Sequence, residues 1–148
     1  PFGLHDIVNT ILDWAEKNGS HEIVILDGVA SKTHDGKAFC AAEEDLCRVM
    51  ESNDINMIPQ GFITGVAGGL LNECLMRPIQ GITLLVKAND KGADPLAAAT
   101  LLDAVNRAYG LNINTSDLRK KKKRIGEDFR ELSDKYTEHR KIDSNMYM

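Results

Sequence analysis

The stretch that decides the fold runs from Pro59 to Ala88 and reads PQGFITGVAGGLLNECLMRPIQGITLLVKA. It opens with a short apolar pair, Phe62 and Ile63, followed by glycines and by a segment whose apolar residues are spaced three or four apart. The segment Ile79–Val86 comes next, and such a nearly unbroken apolar run is typical of a strand covered on both faces. The order predicts a strand, a glycine turn, a helix and a second, parallel strand, which together form a βαβ unit.

The glycines Gly65, Gly68 and Gly69 allow two interpretations. Residues without a Cβ atom would let the first helical turn lie close against the sheet. A helix N-terminus reached through glycines also presents free N–H groups to anions, so a nucleotide- or nucleoside-binding enzyme is the alternative, with Asp27 at its strand end as a further site residue. The spacing matches neither the phosphate loop, which needs a following lysine and hydroxyl, nor the dinucleotide fingerprint. The sequence therefore favours a packing role.

Helices and strands alternate on both sides of this stretch. The segment Leu4–Asn18 has the pattern of an amphipathic helix, whose expected apolar face consists of Ile7, Val8, Ile11, Leu12 and Ala15. Strands are expected at 22–27 and 37–42, and helices at 43–52 and 95–109. This alternation predicts an α/β fold with three layers, α/β/α, and a mostly parallel or mixed sheet.

The composition is that of a soluble globular domain. Of the 148 residues, 43% are hydrophobic and 27% are charged, and the formal net charge is −4. No apolar stretch approaches the ~20 residues of a membrane helix, and the first residues carry no signal-peptide pattern, so we expect a cytoplasmic protein without a membrane partner. The three cysteines form no CxxC pair and the histidines are scattered, which predicts reduced core cysteines and neither a metal nor a cofactor.

The C-terminal part of the chain differs in character. We expect the α/β domain to span residues 1–114, a charged helix to span 115–140 and project from the body, and a tail to span 141–148. The helix carries the basic run Arg119–Arg124, RKKKKR, which is typical of a solvated helix surface, and a contact with an acidic protein surface is the alternative. No aromatic residue interleaves with this run and no readout motif accompanies it, so the sequence argues against nucleic-acid binding.

Three segments together carry a resemblance to a known family. The stretch GFITGVAGGLLNECLMRPIQGITLLVKA, the later stretch ADPLAAATLLDAVNRAYGLNIN and the charged helix after them resemble the archaeal branch of the proteasome assembly chaperone family. The resemblance implies a fold related to nucleoside phosphorylases, no catalytic residues, and a homo-oligomer that binds the proteasome core particle. Members of this branch can end in a hydrophobic residue, a tyrosine and any residue, a motif that docks in pockets between α-subunits of the proteasome ring. Met146, Tyr147 and Met148 match that motif, so the resemblance assigns partner binding to them.

The resemblance also implies an incomplete sheet. In the family an opening strand and a glycine-rich turn usually precede the position of Leu4, and this sequence contains neither. A sheet edge without its neighbouring strand tends to pair with another chain. We therefore expect an uncovered edge that favours association with a further chain.

Overall fold

The computed structural model describes residues 3–90 and 92–121 of the chain. Its helices and strands, in chain order, are α1 (Leu4–Lys17), β1 (Glu22–Ala30), β2 (Ala38–Ala41), α2 (Glu44–Glu51), β3 (Asn56–Met57), α3 (Gly65–Cys74), β4 (Gln80–Ala88) and α4 (Pro95–Tyr109). Residues 116–121 are also helical. None of the helices in the described ranges is both long and apolar enough to cross a membrane. The alternation of helices and strands confirms the predicted α/β class.

Strand β4 lies inside a four-stranded mixed sheet with the order β1-β4-β2-β3. It pairs in parallel with β1, in a register that runs from Glu22 opposite Gln80 to Ala30 opposite Ala88. On its other side it pairs antiparallel with β2, and β2 pairs in parallel with β3. The β4 residues 81–86 are all buried, as the nearly unbroken apolar run predicted.

Helices cover both faces of the sheet, and each face has its own hydrophobic cluster. Helices α2 and α4 pack on the face that carries Ile82, Leu84 and Val86 of β4. Helices α1 and α3 pack on the other face, where Ile23 and Ile25 of β1 contact them. Because alternate residues of a strand point to opposite faces, the two clusters lie on opposite sides of one sheet. The architecture is therefore the predicted α/β/α arrangement.

Helix α4 has strong local signals at both ends. The Asp94 carboxylate accepts hydrogen bonds from the backbone N–H groups of Leu96 (3.1 Å) and Ala97 (3.0 Å). Pro95 takes the first helical position, where no N–H donor is needed. Gly110 ends the helix with φ 63°, in the left-handed region that favours glycine. The predicted bounds of this helix are confirmed.

The predicted strand at Phe62 and Ile63 is wrong. Residues 61–64 form neither helix nor strand, and the Phe62 side chain is 99% exposed. The parallel neighbour of β4 is β1, so the crossover to β4 starts from a strand that lies much earlier in the chain. Strand β3 occupies the position beside β2. Phe62 and Ile63, which follow Pro59 and Gly61, therefore have no strand of the described sheet to pair with.

Helix α1 buries a narrower face than its pattern predicted. Val8, Leu12 and Ala15 are buried, whereas Ile7 and Ile11 are exposed. Successive helical residues are rotated by about 100°, so these two isoleucines lie on a flank of the helix instead of beneath it. The prediction failed because the apolar residues of α1 form two adjacent stripes, and only one of them faces the core.

Candidate functional site

The glycine turn lies at the start of α3. Gly65 has φ 67°, a left-handed value that favours glycine. A Cβ atom on Gly68 would lie 2.3 Å from the carbonyl oxygen of Ile63, and one on Gly69 would lie 2.7 Å from Cγ2 of Val8. Because these Cβ atoms are missing, α3 can approach its own entry loop and helix α1 closely.

Gly68 and Gly69 allow close packing, as predicted. The surfaces that they approach are the entry loop of α3 and helix α1, not the sheet. The close approach of α3 to the sheet depends on Gly81 of β4, where a Cβ atom would lie 2.8 Å from Cβ of Cys74. Sequence reasoning missed Gly81, whose only signal was its place at the start of an apolar run. The anion-binding alternative for Gly65, Gly68 and Gly69 stays a prediction.

Asp27 does not come together with the glycine turn. The predicted strand ended at Asp27, but β1 continues to Ala30, so Asp27 lies within the strand and not at its end. Its Oδ1 accepts a hydrogen bond from the N–H of the next residue, Gly28 (2.7 Å). The extension of β1 has a tertiary cause, because β4 continues alongside it to Ala88.

Internal pairs occupy the region where β1 and β4 end, which is where α/β sheets commonly bind ligands. Asp35 pairs with Lys87 (Oδ2 to Nζ, 2.8 Å), and the hydrogen bond from Lys87 lowers the pKa of Asp35. Asp94 caps α4 and also accepts a hydrogen bond from the N–H of Asn89 (3.1 Å). Burial raises the pKa of Asp94, but the backbone hydrogen bonds and the nearby His34 outweigh it, so the pKa lies below its ordinary value. These carboxylates hold the loops in place.

Asp103 of α4 anchors the segment that leads to the C-terminal helix. Its Oδ1 accepts a hydrogen bond from the Thr115 hydroxyl (2.9 Å), and its Oδ2 pairs with the guanidinium of Arg119. The Asn106 side chain accepts from the N–H of Ile113 (2.8 Å) and donates to its carbonyl oxygen (2.9 Å). These contacts fix where residues 116–121 leave α4. Sequence reasoning missed these contacts, because nothing marks two polar residues of an apolar helix as neighbours of a later segment.

Part of the basic run lies within the described residues. Arg119 pairs with Asp103, Lys120 lies 3.6 Å from the Asp117 carboxylate, and Lys121 is exposed. These positions fit the solvated-surface interpretation. The rest of the run, the remainder of the charged helix and the tail residues Met146, Tyr147 and Met148 lie outside the described residues. The helix bounds and the tail site therefore stay predictions.

All three cysteines are buried and free, as predicted for small core residues. The Sγ atoms of Cys40 on β2 and Cys47 on α2 are 3.5 Å apart, and burial raises the pKa of Cys40 to about 12. At neutral pH this thiol stays protonated, which makes it a poor nucleophile. Within residues 3–90 and 92–121, no group of three or more His, Cys, Asp or Glu side chains is placed to hold a metal ion.

One flank of the domain combines an open sheet edge with exposed apolar side chains. Strand β1 has β4 on one side and no strand of the described sheet on the other. Helix α1 carries large apolar side chains that we call the α1 stripe: Leu4, Ile7, Ile11 and Trp14, with 45%, 43%, 37% and 67% of their surface exposed. Contiguous apolar surface of this kind marks interaction sites.

Residues 1–133 match the family model described as the PAC2 family. The chain belongs to the PAC2 family. The matched region includes the glycine turn, α4 and the first part of the charged C-terminal segment. The family assignment therefore covers the whole described domain.

Three similar proteins place this PAC2 chain among known structures and sequences. PbaB of Pyrococcus furiosus, described as an archaeal proteasome activator, is 26% identical, with a TM-score of 0.76 over 89% of this chain and 59% of its own. PbaA of the same organism, described as an archaeal homologue of proteasome-assembly chaperone, is 24% identical, with a TM-score of 0.86 over 97% of this chain and 62% of its own, and shows the fold. The uncharacterized protein MJ0106 of Methanocaldococcus jannaschii is 24% identical over 136 residues, 92% of this chain and 57% of that protein.

The matches confirm the resemblance to archaeal proteasome assembly chaperones. The PAC2 chain spans 62% of PbaA, 59% of PbaB and 57% of MJ0106, which is less than two thirds of each relative. The relation to nucleoside phosphorylases, the homo-oligomer and the tail site stay predictions.

Proposed function

We propose that this PAC2 protein is a non-enzymatic chaperone or adaptor that binds the α-ring of the proteasome core particle. It does so through Met146, Tyr147 and Met148, and it acts as a homo-oligomer in the cytoplasm. The observation that carries the proposal is the combination of PAC2 family membership with a Met-Tyr-Met ending. The description of PbaB as a proteasome activator supports the same class of partner.

The free energy that one tail gains on binding is small compared with the cost of association, so we expect each assembly to use more than one tail. Burying Met146 and Tyr147 contributes about 1.5–3 kcal/mol each. A solvent-exposed pairing of the terminal carboxylate with a lysine adds about 1 kcal/mol or less. Association costs an estimated 4–15 kcal/mol of translational and rotational freedom, so a single tail binds weakly. Several tails on one homo-oligomer bind more tightly through avidity.

The geometry of the body fits a role as carrier of the tail. Asp103 holds Thr115 and Arg119, so the chain leaves α4 at a fixed position. The segment Lys141–Met148, when extended, spans at most about 27 Å, which is enough to enter a pocket while the domain stays outside it. The buried cysteines and the paired carboxylates of the domain are engaged in its own packing and loops.

A capture experiment with proteasome core particle tests the proposal. The 148-residue chain, a version without Met146–Met148, a Tyr147→Ala variant and a matched Ser144→Ala control are immobilised at equal density. We expect the deletion to abolish capture, Tyr147→Ala to weaken it strongly, and Ser144→Ala to leave it unchanged. Equal capture by all four proteins would remove the tail from the mechanism.

The competing hypothesis is a nucleotide- or nucleoside-binding enzyme that uses the turn Gly65–Gly69. The first turn of α3 carries only glycine, valine and alanine, so within this turn a phosphate could be bound through backbone N–H groups but through no charged side chain. Isothermal calorimetry with nucleotides and nucleosides separates the two hypotheses. Saturable heat would support the enzyme, and its absence would count against the enzyme.

A further inference from the structure

Two of the three cysteines contact each other in the interior beneath α2 and α4. Cys40 on β2 and Cys47 on α2 are 0% and 2% exposed, and their Sγ atoms are 3.5 Å apart. Cys74 belongs to the other interior, beneath α1 and α3, so it lies on the opposite side of the sheet from this pair. Each thiol of the pair therefore has the other, and not Cys74, as its partner for sulfur chemistry.

Cys40 is held on a strand that is paired on both sides. It stands opposite Leu84 of β4 in the antiparallel ladder and opposite Met57 of β3 in the parallel ladder. Its carbonyl oxygen accepts a hydrogen bond from the N–H of Ile58 (2.9 Å). Because these pairings fix the backbone of Cys40, any larger movement of the two sulfur atoms relative to each other has to come from Cys47.

Cys47 lies on a helix with weak local support. Helix α2 has eight residues and buries two of them, Cys47 and Met50, and so short a helix is stable only through its packing. Among the described residues, the side chain of Glu43 at the N-cap position caps no N–H group. Strand β3, which follows α2, pairs with β2 over two residues. Units with so little packing open before the whole domain does, so we expect α2 to open while β4 stays paired.

The closed domain protects both thiols from oxidation. Burial leaves almost no surface of either cysteine for an oxidant to reach, and it raises the pKa of Cys40 to about 12, so this thiol stays protonated. Opening of α2 carries Cys47 into water, whereas Cys40 stays on β2. Cys47 is therefore the thiol that an oxidant meets first, and Cys40 is the thiol that waits beside its place of return.

We propose that Cys40 and Cys47 form a redox-sensitive latch, in which a disulfide bond joins α2 to β2 and hydrogen peroxide is the oxidant. The Cys47 thiolate attacks one peroxide oxygen, the O–O bond breaks, and hydroxide leaves and takes up the thiol proton, so that Cys47 becomes a sulfenic acid and the first water forms. When α2 closes, the sulfur of Cys40 attacks the sulfur of Cys47. The S–S bond forms, the S–O bond breaks, and a second water leaves with the proton of Cys40. The two thiols lose two electrons, which reduce the peroxide to water.

The disulfide would fix a helix that otherwise opens. It closes the short loop through Ala42 and Glu43 that joins β2 to α2, so that α2 can no longer leave the sheet at Cys47. In the reduced protein α2 opens freely, and in the oxidised protein it is held closed. The latch involves neither the tail nor the proteasome, so it can fail without any consequence for the proposed function, and the reverse also holds.

Peptide mapping after peroxide treatment of the 148-residue chain tests the chemistry. We expect the peptides that carry Cys40 and Cys47 to be joined with a loss of two hydrogen atoms, and dithiothreitol to restore both thiols. Mapping separates this loss from the oxygen that peroxide adds to methionines. Urea below the unfolding transition should accelerate the reaction, because α2 opens first. Cys74→Ala is the matched control and should form the same disulfide, whereas Cys47→Ser should form none.

Amide hydrogen exchange tests the effect on α2. We expect the amides of residues 44–57 to exchange at least about tenfold more slowly in the oxidised than in the reduced chain, and dithiothreitol to reverse the change. Peroxide should leave the exchange of the same residues unchanged in Cys47→Ser, which shows that methionine oxidation is not the cause. The comparison of the two redox forms of the unmodified chain needs no variant, so it stands even if Cys47→Ser fails to fold.

Three results would overturn the proposal. The first is that both thiols survive peroxide in urea concentrations at which residues 44–57 exchange rapidly. The second is that Cys47 is oxidised to a sulfinic acid while Cys40 remains a thiol, which would mean that the two sulfur atoms do not meet after opening. The third is that the disulfide forms and the exchange of residues 44–57 does not change, which would mean that α2 is not the element that opens.

Discussion

Cγ2 of Val8 on α1 lies 2.7 Å from the point where a Cβ atom on Gly69 of α3 would stand. Val8 is fully enclosed in the cluster beneath α1 and α3, so it has no free space to move into. The glycine at position 69 is thus a condition for the close approach of two helices. Gly69, one of the three glycines of the turn, therefore has a packing role.

Gly69→Ala tests this relationship. Alanine favours a helix interior by about 1 kcal/mol over glycine, but forcing a methyl group into a filled core costs about 1–3 kcal/mol. We expect a net loss of about 1 kcal/mol in the free energy of unfolding, measured by chemical denaturation. In the Gly69→Ala, Val8→Ala double variant the clash is relieved, so the two losses should be less than additive. Strict additivity would show that the methyl group never met Val8.

Thr83→Val should stabilise the domain. Thr83 is fully buried in β4, and its hydroxyl has no hydrogen-bond partner among the described residues. An unpaired buried hydroxyl costs about 1–3 kcal/mol, and valine has nearly the same shape. We expect the free energy of unfolding to rise by about 1 kcal/mol.

Thr100→Val is the matched control for that substitution. Thr100 is also buried, but its hydroxyl donates to the carbonyl oxygen of Leu96 (2.9 Å). Its replacement should leave stability unchanged or lower it by up to about 1 kcal/mol. If Thr83→Val costs as much as Thr100→Val in the same urea titrations, the Thr83 hydroxyl is hydrogen-bonded in the native protein.

Asp94 should make the stability of the domain sensitive to acid. Its pKa is below the ordinary 3.8, because its hydrogen bonds to backbone N–H groups favour the carboxylate. A carboxyl group whose pKa is lowered by folding stabilises the folded state, and this stabilisation is fully present above the pKa of the unfolded chain. It is lost as the pH falls through the lower pKa of the folded protein. We expect the free energy of unfolding to fall more steeply below about pH 4 in the wild type than in Asp94→Asn. Parallel curves for the two proteins would contradict the shift.

Asp103→Ala should loosen the start of the C-terminal helix. The substitution removes the bond to the Thr115 hydroxyl and the ion pair with Arg119, so we expect a loss of about 1 kcal/mol. Amide hydrogen exchange of residues 115–121 should accelerate in the same variant. Asp117→Ala, whose carboxylate pairs with exposed Lys120 within the described residues, should change stability by no more than about 0.5 kcal/mol. Unchanged exchange in Asp103→Ala would mean that other contacts hold this segment.

The sequence predicted those parts of the fold whose signals are local. Helix α4 was placed correctly because Asp94, Pro95 and Gly110 act on the backbone beside them. Strand β4 was recognised because a strand buried on both faces is apolar throughout. The last residues of β1, predicted as loop, are strand because they pair with β4, and pairing across the sheet leaves no mark in their own sequence.

The candidate site was less predictable for the same reason. The division of the apolar residues of α1 between a buried face and an exposed stripe depends on where α3 and the sheet lie, which the helical period alone does not specify. The contact of Asp103 with Thr115 and Arg119 joins segments that the sequence presents as unrelated. The tail motif rests on family resemblance, since three terminal residues carry no structural pattern of their own.

The sheet is a partition between two separate interiors, one beneath α2 and α4 and the other beneath α1 and α3. Substitutions in the two interiors lie on opposite faces of the sheet, so their effects on stability should be close to additive. Related proteins could therefore change the α1 layer and its exposed apolar side chains while the α4 layer keeps the fold intact. Related proteins could then differ in the surface on the α1 side of the sheet and keep the same fold.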